Sequence, residues 1–233
     1  MFNIFAGASN FVLNQAGTTM LSQLSQVITL DHRDSRLYPH EGFVVELGND
    51  FAGLGGDVRF IRTNVNGAYY IPLEQYFGDP EWGIKLAAST GYLAFLGGRE
   101  LIIDRFFLGG DNLRGFQTGG AGPHDARTRD PLGGRFIWTQ TTELRFPMPV
   151  SPDLGLSGRA FIDIGSLSLA SFRNNSACPT CIIEQSAAPR IGAGVGLSWK
   201  TAFGLINIDL APFVVKQPRD QTQIFRFGFG TRF

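Results

Sequence analysis

The sequence predicts an all-β chain folded as an antiparallel transmembrane β-barrel, and three observations carry that reading. Apolar and polar residues alternate with a period of two in stretch after stretch, as in strands whose two faces meet different surroundings. Of 233 residues, 30 are glycine and 21 phenylalanine, whereas lysines are few and helix formers thin, the bias of an all-β chain. Arginines and acids recur with glycines on the polar face, and short connections alternate with long ones. A soluble two-sheet sandwich explains the alternation alone. A barrel with lipid outside and a polar lumen inside explains all three.

The length suits one domain with a sizeable core. The formal net charge is zero, so no basic stripe marks a nucleic-acid partner. No run of about 18 uncharged apolar residues is present, which excludes a spanning helix but not barrel strands, since those need only about 9–11 residues each. Met1 opens into Phe2-Asn3-Ile4-Phe5-Ala6 without a basic segment or cleavage site, so no signal peptide is read, and an exported protein would have its true N-terminus upstream.

Taken in order, residues 1–17 are expected to be loop or partial strand, with a helical turn as the other option. Over 18–33, Leu24, Ile28 and Leu30 oppose Ser25 and Thr29. His32 to Gly42 is a turn. Phe43, Val45 and Leu47 alternate with Val44, Glu46 and Gly48, and the glycine-rich Phe51 to Asp57 reads as a hairpin connection. Val58 to Leu73 is a long strand ending near the Gly78-Asp79-Pro80 turn. From Trp82, residues Ile84, Leu86, Ala88 and Tyr92 face away from Lys85, Ala87, Ser89 and Gly91. Turn formers Gly109-Gly110-Asp111-Asn112 then present Leu113-Arg114-Gly115-Phe116 in a tight loop. An arginine so placed is commonly a solvated surface charge, but inward-pointing carboxylates further along could receive it.

The second half alternates most cleanly. Phe136, Trp138, Leu144 and Phe146 oppose Arg135, Thr139, Thr141, Glu143 and Arg145. Leu154, Leu156, Ala160, Ile162 and Ile164 oppose Ser157, Arg159, Phe161, Asp163 and Gly165. Ile191, Ala193, Val195, Leu197 and Trp199 oppose Arg190, Gly192, Gly194, Gly196 and Ser198, and Ile206, Ile208 and Leu210 oppose Asn207, Asp209 and Ala211. A last strand over 222–233 sets Phe225, Phe227, Phe229 and Phe233 against Arg226, Gly228, Gly230 and Arg232. About nine strands result. Trp82, Tyr92, Trp138, Trp199 and Phe233 fall near strand ends on the apolar face, where an interfacial girdle belongs.

These residues also carry a resemblance. GGDNLRGF, ELRFPMP (143–149), AFIDIGSL (160–167), GAGVGLSW (192–199), the ending FRFGFGTRF and FAGLGGDVRFI resemble, in order, the C-terminal half of the BamA family of outer-membrane assembly factors, most closely its alphaproteobacterial members. The resemblance implies a sixteen-stranded barrel preceded by periplasmic POTRA domains, of which residues 18–233 would be the C-terminal part. No POTRA segment is present and only about nine strands are, an odd number where single-chain bacterial barrels normally have an even one. A partial barrel is therefore expected, with its end strands, 18–33 and 222–233, either free edges or forced together at reduced diameter; the open, curved sheet is the form predicted.

The resemblance implies roles for single residues. Leu113, Arg114, Gly115 and Phe116 match a signature in a long loop that folds back into the lumen. Phe161, Asp163 and Gly165 match the wall motif that receives it, with Glu143 as an acidic wall position. Phe225, Phe227, Phe229 and Phe233 match the C-terminal strand signal. The implied activity is folding and inserting β-barrel proteins into the bacterial outer membrane, with lipid, unfolded barrel substrates and, in the full-length protein, accessory lipoproteins as partners and no cofactor. A passive pore or structural barrel and a related protein-secretion transporter are the alternatives.

Other chemistry is sparse. Gly192-Ala193-Gly194-Val195-Gly196 lacks the helix a dinucleotide loop requires. His32, His40 and His124 lie at scattered turns without metal-ligand spacing, and no nucleophile elbow stands out. Catalytic residues and metal ligands are therefore not assigned. Cys178-Pro179-Thr180-Cys181 lies in a long loop and can be redox-active, a metal half-site or a small disulfide. No second CxxC or nearby histidine completes a metal site, and export would favour the Cys178–Cys181 disulfide.

Overall fold

The computed structural model describes residues 8–171, 182–201 and 204–230. In chain order the elements are a helical turn α1 (Asn10–Leu13), then β1 (Leu21–Asp31), β2 (Gly42–Gly56), β3 (Val58–Pro72), a second turn α2 (Glu74–Phe77) and β4 (Gly83–Gly98). The two-residue strands β5 (Gly115–Phe116) and β6 (His124–Asp125) lie in the long loop before β7 (Phe136–Pro147) and β8 (Leu156–Ser168). After these come the short β9 (Ile183–Glu184), β10 (Arg190–Thr201), β11 (Gly204–Val215), the short β12 (Thr222–Gln223) and β13 (Phe225–Phe229). Nine strands make one sheet in the order β1-β2-β3-β4-β7-β8-β10-β11-β13, with every neighbouring pair antiparallel. Among the described residues β1 and β13 are not paired with each other, so the sheet is open.

Burial decides between a membrane barrel and a sandwich. Along β8, Ile162 is 49% exposed while the flanking Asp163 is 1% exposed, and Arg159 is buried as well. On β10 and β11, Val195, Trp199 and Leu210 are exposed, whereas Ser198, Asn207 and Asp209 are buried. A water-soluble protein sorts its side chains the other way round. Hydrocarbon outside and a polar interior make this arrangement favourable. Connections sort to two ends: 32–41, 73–82 and 148–155 share one end, and Asp57, the long loop 99–135 and 216–224 share the other. At the first end Trp82 stacks on Phe77 with ring centroids 4.3 Å apart and packs on Phe146.

Apolar packing is divided among small clusters: one, of Val44, Ala68 and Tyr70 with Ala87, lies near the end where 32–41 and 73–82 connect, and others lie under the long loops. Val58, Phe60, Leu93, Phe95 and Leu101 pack with Phe106. Leu108, Leu113, Phe116, Ala121, Ile137 and Leu167 form a second cluster, which seats the loop against the inner wall.

Residues 10–13 form a helical turn, one of the options for 1–17: the Ser9 hydroxyl accepts from Phe11 N, and Phe11 buries itself against Ile102 and Leu132. Two expectations are revised. Phe51–Gly56 is not a connection, because β2 continues through it, pairing Phe51 with Ile61 and Ala52 with Phe60; its glycines absorb positive φ within the strand. The last strand is split at Ile224, since β12 turns away from the sheet to pair with β5, Thr222 opposite Phe116 and Gln223 opposite Gly115.

Candidate functional site

The loop from Phe106 to Phe116 is closed on itself before it enters the lumen. Gly109 N donates to Asn112 Oδ1 at 2.9 Å, Asn112 Nδ2 donates to the Phe107 carbonyl at 2.8 Å, and Gly110 N donates to the Phe116 carbonyl at 3.0 Å. Gly109 and Gly110 both hold positive φ, a conformation that Asn and Gly accept and branched residues resist. Asp111, at the tip, is bridged by Arg226 of β13 at 2.9 Å. Closure of this turn drives Leu113, Arg114, Gly115 and Phe116 inward, all four buried.

Arg114 is the centre of the buried network. Its Nε and Nη2 donate to the two oxygens of Asp163 at 2.7 and 2.8 Å, and its backbone N donates to Asp163 Oδ2 at 3.1 Å. Nη1 donates to Glu143 Oε2 at 2.9 Å and lies 3.8 Å from Asp209 Oδ1. The guanidinium plane rests over the Phe161 ring, 3.5 Å from its centroid. The planar fork makes the two-pronged grip on Asp163 possible; an ammonium at the same place offers a point charge only.

Strand register explains how the wall is assembled. Glu143 of β7 stands opposite Phe161 of β8, Thr141 opposite Asp163, and Lys85 of β4 opposite Glu143. The Thr141 hydroxyl donates to Asp163 Oδ1 at 2.9 Å, which holds that carboxylate for the fork. Arg159 Nη2 donates to Asp209 Oδ1 at 2.7 Å, and its Nη1 reaches Glu143 Oε2 at 3.4 Å. Arg145 Nε meets the other Glu143 oxygen at 3.4 Å. Glycines make room for the loop: any side-chain carbon at Gly192 would strike the Arg114 carbonyl, and at Gly165 one would meet Leu108 and Thr139 at 3.1 Å.

Of the residues singled out in the sequence, Arg114, Glu143, Phe161 and Asp163 are in mutual contact, and Leu113, Gly115, Phe116 and Gly165 pack around them. Phe225, Phe227 and Phe229 stand apart, exposed on the outer face of β13, with the rings of Phe227 and Phe229 edge to face at 5.0 Å. Phe233 and the pair Cys178 and Cys181 lie outside the described residues. Lys85, Thr141, Arg159, Asp209 and Gly192 were not singled out. Each falls on a polar strand face in the sequence, so the signal was present, but only the register between strands gathers them around one guanidinium.

Three comparisons bear on these features. The model of the Omp85 superfamily domain matches residues 2–233. The outer membrane protein assembly factor BamA of Neorickettsia risticii is 30% identical over 234 residues, covering 100% of this chain and 30% of the relative. The mouse sorting and assembly machinery component 50 homolog is 33% identical over 159 residues, 66% of this chain and 32% of that protein. The chain thus spans about a third of the length of these relatives. Among solved structures, BamA from Haemophilus ducreyi lacking POTRA domains 1–3 superposes with a TM-score of 0.73 at 21% identity, over 88% of this chain and 41% of that one, a likeness of fold.

Proposed function

The chain belongs to the Omp85 superfamily, and from that premise we propose that it is the barrel part of an outer-membrane protein assembly factor, which folds and inserts β-barrel proteins into the bacterial outer membrane. The observation that carries this reading is the loop bonded into the lumen through Arg114. A structural barrel has no need of a long loop sealed to its inner wall by a buried arginine. Relatives named as assembly factors support the same reading. The roles assigned to Arg114, Glu143 and Asp163 are positioning ones: they hold the loop and stiffen the β7–β8 wall.

The work itself falls to the edge of β13. That strand pairs with β11 only from Leu210–Phe225 to Ile206–Phe229, and its other edge has no neighbour among the described residues. A strand edge with open N–H and C=O groups templates an incoming strand by β-augmentation. Unfolded barrel proteins and the bilayer are the partners, and accessory lipoproteins join in the longer protein.

The test is the folding of a urea-denatured barrel substrate into vesicles that carry the chain. Faster folding than in empty vesicles, lost in Arg114→Ala, is the expected result. Folding at the empty-vesicle rate would defeat the proposal, and ion conductance without acceleration would favour the passive pore.

A further inference from the structure

The strand whose edge is proposed to do the work is short. β13 is 5 residues long and meets β11 from Leu210–Phe225 to Ile206–Phe229, whereas β10 and β11 have 12 residues each. A strand held by one short ladder opens easily. The segment that leads into it, however, is stitched to the lumen loop. Gln221 N donates to the Gly120 carbonyl at 2.8 Å, and Gln117 N donates to the Gln221 carbonyl at 3.0 Å. Thr222 and Gln223 then continue the pairing opposite Phe116 and Gly115.

Asp220 is the knot at the head of this segment, and its side chain is buried. Its Oδ2 accepts from Arg190 Nε at 3.0 Å and from Gln217 N at 2.8 Å, and its Oδ1 accepts from Arg190 Nη2 and Gly122 N, each at 3.4 Å. Arg190 Nη1 holds the Ser186 and Ala188 carbonyls at 2.7 and 3.1 Å. One carboxylate thus joins the start of β10, the continuation of the lumen loop and the approach to β13. A buried acid satisfied from three segments loses part of its satisfaction when any one of them moves off. A second clasp sits on β13 itself. Arg226, opposite Asp209 of β11 on the lumen face, donates from Nε to Asp111 Oδ1 at 3.0 Å. Its guanidinium lies over Gly110, where a side-chain carbon would come within 3.1 Å of Nη2.

We infer that Asp220 and Arg226 are positioning residues for the β13 edge: they fasten it to the Arg114 loop, so that loop and edge shift as one body. The inference rests on the templating role proposed for that edge and adds what sets its position. A strand that draws β13 away from β11 pulls on the loop, and a loop lifted from Asp163 slackens β13. Such coupling acts equally in both directions.

Hydrogen exchange read by mass spectrometry, on the whole chain in nanodiscs without substrate, tests the coupling. Asp220→Asn is expected to speed exchange over 225–229 and over 115–122 together, by about tenfold or more. Arg226→Gln leaves the buried knot in place, so it keeps the test decisive if Asp220→Asn does not fold; it should speed 225–229 about threefold. Arg114→Lys loosens the loop at β8 and should also speed 225–229, a remote effect that a merely local role for Arg226 would not produce. Exchange in β3 should stay as in the parent. Unchanged exchange over 225–229 in Arg226→Gln and Arg114→Lys would overturn the inference, as would an equal loss of protection in β3, which marks general destabilisation. The vesicle assay separates the two readings. A parent chain that does not accelerate substrate folding defeats the assembly role and leaves the exchange result standing. Acceleration that Arg226→Gln leaves unaltered, despite a loosened edge, refutes the positioning role alone.

Discussion

Gly192 on β10 lies directly beneath the carbonyl of Arg114, with no space between them for a side-chain carbon. The lumen wall and the inserted loop are therefore fitted backbone to backbone at this point, and the ion pairs lie beside that contact.

Gly192→Ala is expected to push the loop off the wall. Forced overpacking of this kind costs about 1–3 kcal/mol, and here the obstacle is a backbone carbonyl that cannot rotate away. Trypsin should cleave the variant after Arg114 faster than the parent. An unchanged cleavage pattern would show that the loop tolerates the added methyl.

Arg114 should couple to its two acids unequally. It makes three hydrogen bonds to Asp163 and one to Glu143, and Glu143 is shared with Arg145 and Arg159. Double-mutant cycles by denaturation are expected to give about 2 kcal/mol or more for Arg114–Asp163 and less for Arg114–Glu143. Arg114→Ala leaves two buried acids without their partner and is expected to cost about 3–5 kcal/mol, whereas Arg114→Lys keeps the charge, loses the two-pronged grip and should cost less. The reverse order of the two coupling energies would refute this reading.

Asp104, in the loop after β4, is buried, and among the described residues its Oδ2 has no hydrogen-bond partner. Burial raises its carboxyl above the ordinary range, with Arg62 opposing. A raised folded-state value means that the folded state holds the proton more tightly than the unfolded one, so stability falls as pH rises through that window. Asp104→Asn should therefore gain stability at neutral pH and lose that advantage in acid, below the ordinary carboxylate range. Urea midpoints at two pH values measure it; a variant equally destabilised at both would contradict the account.

Charge on the outer face should block insertion. Ile162 and Val195 are exposed there, and an arginine in the middle of a bilayer costs a barrel about 2–4 kcal/mol. Ile162→Arg is expected to reduce the folded fraction in bilayers, read from gel migration without heating. On a sandwich surface the same change would be harmless, so an undiminished folded fraction would count against the membrane face.

Period-two alternation was enough to show the nine-stranded antiparallel sheet, because lipid and lumen make opposite demands on successive residues such as Ile162 and Asp163. It also placed Glu143 and Asp163 on one face. What it could not supply was register. Arg145 opposite Arg159, or Lys85 opposite Glu143, depends on which residue of one strand meets which of the next, and no local pattern encodes that. The break at Ile224 leaves a trace, since Gln223 falls on the apolar face of Phe225 and Ile224 on the polar one, but nothing local says that β12 leaves the line to pair with the remote Gly115–Phe116. The glycines of β2 looked like a turn because in most strands that is what they would be.

That short ladder between β5 and β12 sets an order in time. Gly115 and Phe116 leave the ribosome long before Thr222 and Gln223, and the ladder must close a very long span of chain to form. Until it does, the Arg114 loop lacks its second support, whatever the state of β7 and β8. The loop's second anchorage thus waits on the last part of the chain: without residue 222 and beyond, Arg114 keeps its bonds to Asp163 and Glu143 but Gly115 and Phe116 lose the strand that pairs with them.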